Sequence, residues 1–216
     1  MKKHIEPLHA GMTYHVYNRG INKETIFRND NNYRYFLKKY FHYLNTIADT
    51  YCFCLLENHF HFLLKIKTEE AIRQQLNSIK HKTKTVEQII SQQFSNLFNG
   101  YAQAYNKMYN RTGGLFEEPF RRKLIDSDDY FSKVIAYIHL NPVKHQLTNK
   151  FEDYLYSSYR LVVNTANSSD LQTISGVNHQ IEYNPYNVIK WFGLVDEFIN
   201  FHKNQKANYT DNIKKT

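Results

Sequence analysis

YCFCLLENHFHFLLKI, residues 51–66, holds two apolar and aromatic runs separated only by Glu57 and Asn58. Each run is short and rich in strand-forming residues, and the two-residue break predicts an antiparallel hairpin. Alternation along the second run puts His59 and His61 on one face, their α-carbons about 6.8 Å apart, with Phe60 and Phe62 on the other. Two imidazoles at that spacing can converge on one cation. Two hydrogen-bonded histidines on a half-exposed strand are the alternative. HFHFLLKIK contains no further acidic or histidine donor, so another ligand has to come from a distant part of the chain.

Outward from the hairpin, MTYHVYN (12–18) alternates as a first strand, with a turn at RGIN. Tyr33, Phe36, Leu37, Tyr40, Phe41 and Leu44 recur at three-four spacing, which predicts a helix over 30–46 capped by Asn29 or Asp30. Residues 69–81 read as helical, HKTKTVEQIISQQ (81–93) as a polar basic connection that can be helical in part, and 95–110 as a third helix. TGG breaks that pattern. LFEEPFRRKLI (115–125) reads as a strand whose Pro119 implies an edge or a bulge. DSDDYFSKVIAYIHLNP (126–142) is a helix with Asp126 or Ser127 at its N-cap, and Pro142 is expected to end it. Strands and helices in this order predict an α+β fold, an antiparallel sheet with packed helices. Residues 1–160 form the expected domain and 161–216 a C-terminal extension: a loop at NTANSSD, a short helix at WFGLVDEFINFHK and a fraying end at YTDNIKKT.

The 216 residues carry a net charge of +8, with basic clusters at KHKTK (80–84) and RRK (121–123), and with 18 Tyr and 15 Phe. Positive charge with many rings favours a polyanionic partner and is compatible with single-stranded nucleic acid. No stretch has the apolar length of a membrane span or the core of a signal peptide, so a cytoplasmic protein is expected. Cys52 and Cys54 point to one face of a strand, where a disulfide between them fits poorly, and they read as buried thiols.

Tyr137 and Asn141, in AYIHLNP, stand one helical turn apart, about 6 Å of rise, and can present a phenol and an amide oxygen to one point. A core aromatic and a C-terminal cap are the alternative. Five ordered blocks, YHVYNRG, NHFHFLL, YAQAYNKMYNRTGGLFEEPFRRK, YIHLNPVKHQL and YLYSSYR, span most of residues 12–160. Together they resemble the HUH-type single-tyrosine transposases, in particular the REP-associated tyrosine transposase branch.

The resemblance implies a ferredoxin-like fold and an enzyme that cleaves and rejoins hairpin-forming single-stranded DNA through a 5′-phosphotyrosine. It assigns Tyr137 as nucleophile, with His59, His61 and Asn141 as ligands of a divalent metal, Mg²⁺ or Mn²⁺. Arg19, Arg111, Arg121, Arg122 and Lys144 stand in or beside the matched blocks, where they can track phosphates. Glu57 replaces the proline usual in the family and reads as a hairpin residue. Monomer and homodimer both fit, as does a tyrosine helix serving its own or a partner's histidines. A metal-dependent phosphodiesterase using water, and a hairpin-binding protein with little catalysis, are the rival functions.

Overall fold

The computed structural model describes residues 7–76, 83–165, 183 and 185–214. Four strands, β1 (Thr13–Arg19), β2 (Ala48–Leu56), β3 (His59–Ile66) and β4 (Arg121–Leu124), form one antiparallel sheet in the order β2-β3-β1-β4. With α1 (Asp30–Leu44) between β1 and β2, and α2 (Glu69–Gln75) and α3 (Val86–Met108) between β3 and β4, this is the expected ferredoxin-like α+β arrangement. Glu57 and Asn58 form the hairpin turn, and the Glu57 carbonyl accepts from the backbone N–H groups of Ile26 and Phe27. Among the described residues no helix is long and apolar enough to cross a membrane.

Alternation along β3 divides the protein into two cores. On one face, Phe60, Phe62 and Leu64 meet Phe53 and Leu55 of β2, Val16 of β1, and helices α1 and α3. Phe36 of α1 sits at the centre of this layer, ringed by Phe27, Phe60, Tyr101 and Phe116. On the other face, Cys52, Cys54, Leu56 and Leu63 pack under α4 (Asp128–Lys144) through Phe131, Val134, Ile135 and Ile138. Both cysteines are buried free thiols. The same core takes Val188 from α6 (Tyr186–Phe192) and Phe198 from α7 (Val195–Lys214). Residues beyond 160 thus share a core with the sheet.

Several element boundaries differ from the expected ones. The segment 81–93, expected to be helical only in part, is continuous with the third helix from Val86 onward: Thr85 and Gln88 form a reciprocal capping box, and Val86, Ile89, Ile90 and Phe94 bury one face. The helix expected over 69–81 ends at Gln75, and residues 77–82, with part of the basic cluster, lie outside the described residues. Only Arg121–Leu124 of LFEEPFRRKLI is strand, because Pro119 has no N–H to offer a ladder and Phe116 makes only an isolated bridge to Gly20.

Pro142 does not end α4. It cannot donate to the carbonyl of Ile138, yet His145 N–H donates to Asn141 O and Leu147 N–H to Pro142 O, so the last turn persists. Ser127 is the N-cap. NTANSSD begins inside α5 (Tyr159–Thr165), its remainder lying outside the described residues, and α7 runs to Lys214 rather than fraying from Tyr209.

A buried polar chain ties the last helix to the sheet. His139 of α4 shares a hydrogen bond with His202 of α7 (2.9 Å) and another with Ser158 Oγ (2.9 Å), which accepts from Phe53 N–H of β2. Burial lowers the His139 pKa well below its ordinary value and that of His202 to about 4.

Two outcomes follow from this packing. Phe36→Ala is expected to lower the unfolding free energy by about 3–5 kcal/mol in urea titration, because it empties the centre of the first core. The two buried histidines bind protons in the unfolded chain near pH 6.5. Folded, they do so only at lower pH, His202 near pH 4. The thermal midpoint should therefore stay level above pH 7 and fall as pH drops from 6.5 toward 4, each histidine contributing about 1.4 kcal/mol per pH unit. A midpoint insensitive to pH across that range would contradict a neutral His139–His202 pair.

Candidate active site

Strand register assembles the first half of the site. His61 lies opposite Tyr17 of β1 and Cys54 of β2, and His59 opposite Arg19 and Leu56. β4 adds Arg121 opposite Tyr17 and Lys123 opposite His15. These side chains share one face by strand parity, the face that α4 covers over β2 and β3. Cβ alternation thus sends the two histidines to the edge of the second core while Phe60 and Phe62 fill the first.

Both histidines are oriented by neighbours. His61, buried, lies with Nδ1 2.9 Å from His15 Nε2. With the shared proton on His61 Nδ1, its Nε2 carries a free lone pair. The His59 Nδ1–H donates to Asn58 Oδ1 at 2.6 Å, which leaves Nε2 as the unprotonated nitrogen. Such partners fix the tautomer and ring orientation of imidazoles that bind metals. Burial lowers the pKa of His15 and His59 to about 4 and that of His61 well below its ordinary value. Nearby cations and histidines push in the same direction: Lys123 on His15, His145 and Arg19 on His59, and first of all His15 on His61. All three rings are therefore neutral at pH 7, the state in which imidazole can donate a lone pair.

Helix α4 supplies the second half. The Tyr137 ring stands edge-on to His61 (5.6 Å between centroids) and to His15 (5.9 Å). It is 38% exposed. Burial raises its phenol pKa, with the Asn141 side chain working the other way. The Lys144 ammonium lies 4.3 Å from the centre of the same ring, and burial lowers its pKa. Asn141, 1% exposed, donates through Nδ2 to the Tyr137 carbonyl at 2.8 Å. Its Oδ1 is buried without a hydrogen-bond partner. A buried orphan acceptor costs about 1–3 kcal/mol, and a cation beside it would offset that cost. Among the described residues no group of three or more His, Cys, Asp or Glu side chains can hold a metal ion. Two imidazoles and an amide oxygen are a donor set of a different kind.

Beside these residues opens a cleft of about 590 Å³ lined by Tyr17, Arg19, Lys23, His59, Arg121 and His145, among others. Of the basic residues singled out in the sequence, Arg19, Arg121 and Lys144 are at the site. Arg19 and Arg121 are bracketed by Glu117, through Arg19 Nε to Oε1 and Arg121 to Oε2 at 4.0 Å. Arg111 lies elsewhere, in a bidentate ion pair with Glu24 and a hydrogen bond to Asn106. Arg122 belongs to the opposite face of β4, beside Val16 in register, with its guanidinium over Phe120.

The sequence reading overlooked His15, Asn58, Tyr17 and His145. His15 and Tyr17 alternate within YHVYNRG and were legible as one face. Their meeting with His61 depends on a strand register that local pattern does not reveal. His145, whose ring lies 4.7 Å from that of His59, had no signal beyond its place just after the helix.

No protein-family model matches the chain, and no curated protein matches it as a relative. Among solved structures, the chain is similar to a REP-associated tyrosine transposase bound to a REP hairpin. The TM-score is 0.59 at 13% sequence identity, and the match covers 85% of this chain and 98% of that one. The likeness establishes that the two chains share a fold across nearly the whole length of that transposase.

Proposed function

We propose that this protein is a metal-dependent single-tyrosine DNA transposase or endonuclease that cleaves and rejoins hairpin-forming single-stranded DNA. One observation carries the proposal: the Tyr137 ring stands edge-on to the buried, His15-oriented imidazole of His61, with His59 two residues along the same strand face and the unsatisfied Oδ1 of Asn141 one turn along the tyrosine's own helix. The shared fold with a transposase bound to a DNA hairpin supports the choice of substrate.

His59, His61 and Asn141 would hold a divalent cation, Mg²⁺ or Mn²⁺, which when bound draws charge from a phosphate oxygen. The Tyr137 oxygen attacks phosphorus and gives its proton to solvent, the 3′ oxygen leaves and takes up a proton to become a 3′ hydroxyl, and the 5′ phosphate stays esterified to the tyrosine. The ester retains the bond energy, so a second 3′ hydroxyl can attack it and restore a phosphodiester without ATP. A phenol of raised pKa is a weak nucleophile. The Lys144 ammonium over its ring favours the phenolate that forms. Arg19 and Arg121, held by Glu117, orient the strand by its phosphates. His15 and Asn58 keep the two imidazoles in the tautomers that leave Nε2 free.

The proposal is tested with labelled hairpin oligonucleotides and Mn²⁺ or Mg²⁺, resolved on a denaturing gel. Label should shift onto the protein, and the shifted band should vanish with chelator and with Tyr137→Phe, which still binds the hairpin. Free cleavage product from Tyr137→Phe would replace tyrosine attack by hydrolysis. His61→Ala should reduce adduct formation at least a hundredfold at saturating DNA, and added Mn²⁺ should not restore it. An unimpaired His61→Ala enzyme would remove the histidine pair from the reaction.

A further inference from the structure

A second cavity, of about 630 Å³, opens between α3 and the loop of residues 113–120. It meets the basic cleft at Asn18 and Glu117, which line both. Their chemistries differ sharply. The cleft beside His59 is bordered by Arg19, Lys23 and Arg121, whereas among the described residues no Lys, Arg or His lines the second cavity. Its floor is apolar, formed in part by Phe98, Ala102 and Phe116. Along its wall, α3 presents Ser91, Ser95, Asn99 and Gln103, one row at four-residue spacing, all exposed. Among the described residues Asn99 and Gln103 have no hydrogen-bond partner, whereas Asn106 and Asn18 are engaged by the 111–117 segment and the β1 backbone.

The facing loop is fixed in place. Gly113 takes φ +86°, open to glycine without strain, and the following residues are pinned to the end of β1 by Ile21 N–H to Leu115 O (3.0 Å) and Glu117 N–H to Arg19 O (2.9 Å). The cavity is therefore preformed. Its volume lies in the range of about 300–1,000 Å³ typical of small-ligand sites, with an apolar floor and a few polar groups to fix orientation.

We infer that this cavity receives an unpaired nucleobase of the DNA strand adjoining the cleaved phosphate, and that it favours a base bearing an exocyclic amino group. This rests on the DNA-processing function proposed above. A pocket with Glu117 and Glu118 on its lining is acidic and disfavours phosphates, so a strand passing the cleft leaves its backbone with the arginines and turns a base inward. The ring lies on the apolar floor. Asparagine and glutamine amides pair with the donor and acceptor edge of adenine, and a carboxylate accepts from an amino group, whereas thymine has no exocyclic amino group to offer. Phosphate contacts in one cleft and base contacts in its neighbour thus divide positioning from sequence choice.

The test uses the full chain carrying Tyr137→Phe, so that binding is read without reaction. Fluorescent hairpins with short unpaired extensions, each extension position bearing every base in turn, are titrated by anisotropy. At one position, replacing adenine by thymine should raise Kd about five- to tenfold. Asn99→Ala/Gln103→Ala, two exposed substitutions, should erase that difference by weakening the adenine hairpin while leaving affinity for the thymine hairpin within about threefold. Equal discrimination with and without the two amides overturns the inference, as does a parent protein indifferent to the base at every position. Tight but base-indifferent hairpin binding would overturn the pocket and leave the tyrosine chemistry standing. Base discrimination by a wild-type protein that forms no covalent adduct would do the reverse. Failure to bind any hairpin overturns both.

Discussion

The two-residue alternation of β3 is the constraint on which the rest depends. It is paired on both sides, so its side chains must serve two faces at once, and Phe60 and Phe62 are committed to the core beneath α1 and α3. A register slip of one residue would exchange histidines for phenylalanines, exposing two rings and burying two imidazoles away from their partners. The first core therefore guarantees the orientation of the histidine pair, and its size makes the alternative register costly.

Helix α4 depends on the same strand from the other side. Its apolar residues pack on Cys52, Cys54, Leu56 and Leu63, and this seating determines that Tyr137 lands beside His61 rather than a turn away. The C-terminal helices hold it there through Phe198 and the chain from His202 through His139 to Ser158. Residues far beyond the last site residue thus set the position of the proposed nucleophile, and buried hydrogen bonds between neutral histidines make that contact specific.

Desolvation links the fold to the proposed chemistry. The packing that buries His15 and His61 also strips them of protons at neutral pH, while the adjoining cleft leaves Arg19 and Arg121 accessible beside Glu117. Buried imidazoles and basic side chains lie next to each other because one group of residues is under α4 and the other lies beyond its edge. Asn141 Oδ1 is buried and, among the described residues, without a hydrogen-bond partner.

The sequence by itself determined the element types, the antiparallel hairpin, the parity of His59 and His61, and the shared helix face of Tyr137 and Asn141. These are short-range periodicities, carried by neighbours within a few residues. The early start of α3 was also legible, in the Thr85–Gln88 box, but its polar composition masked the apolar stripe; the persistence of α4 through Pro142 was not, because surrounding contacts outweigh one lost hydrogen bond. Only the tertiary structure decided that His15 supports His61, that His145 lies against His59, and that Arg111 is held by Glu24 while Arg121 faces the site. Those relations join residues dozens of positions apart. They are set by strand register and by where a helix settles on a sheet, quantities that depend on the whole core.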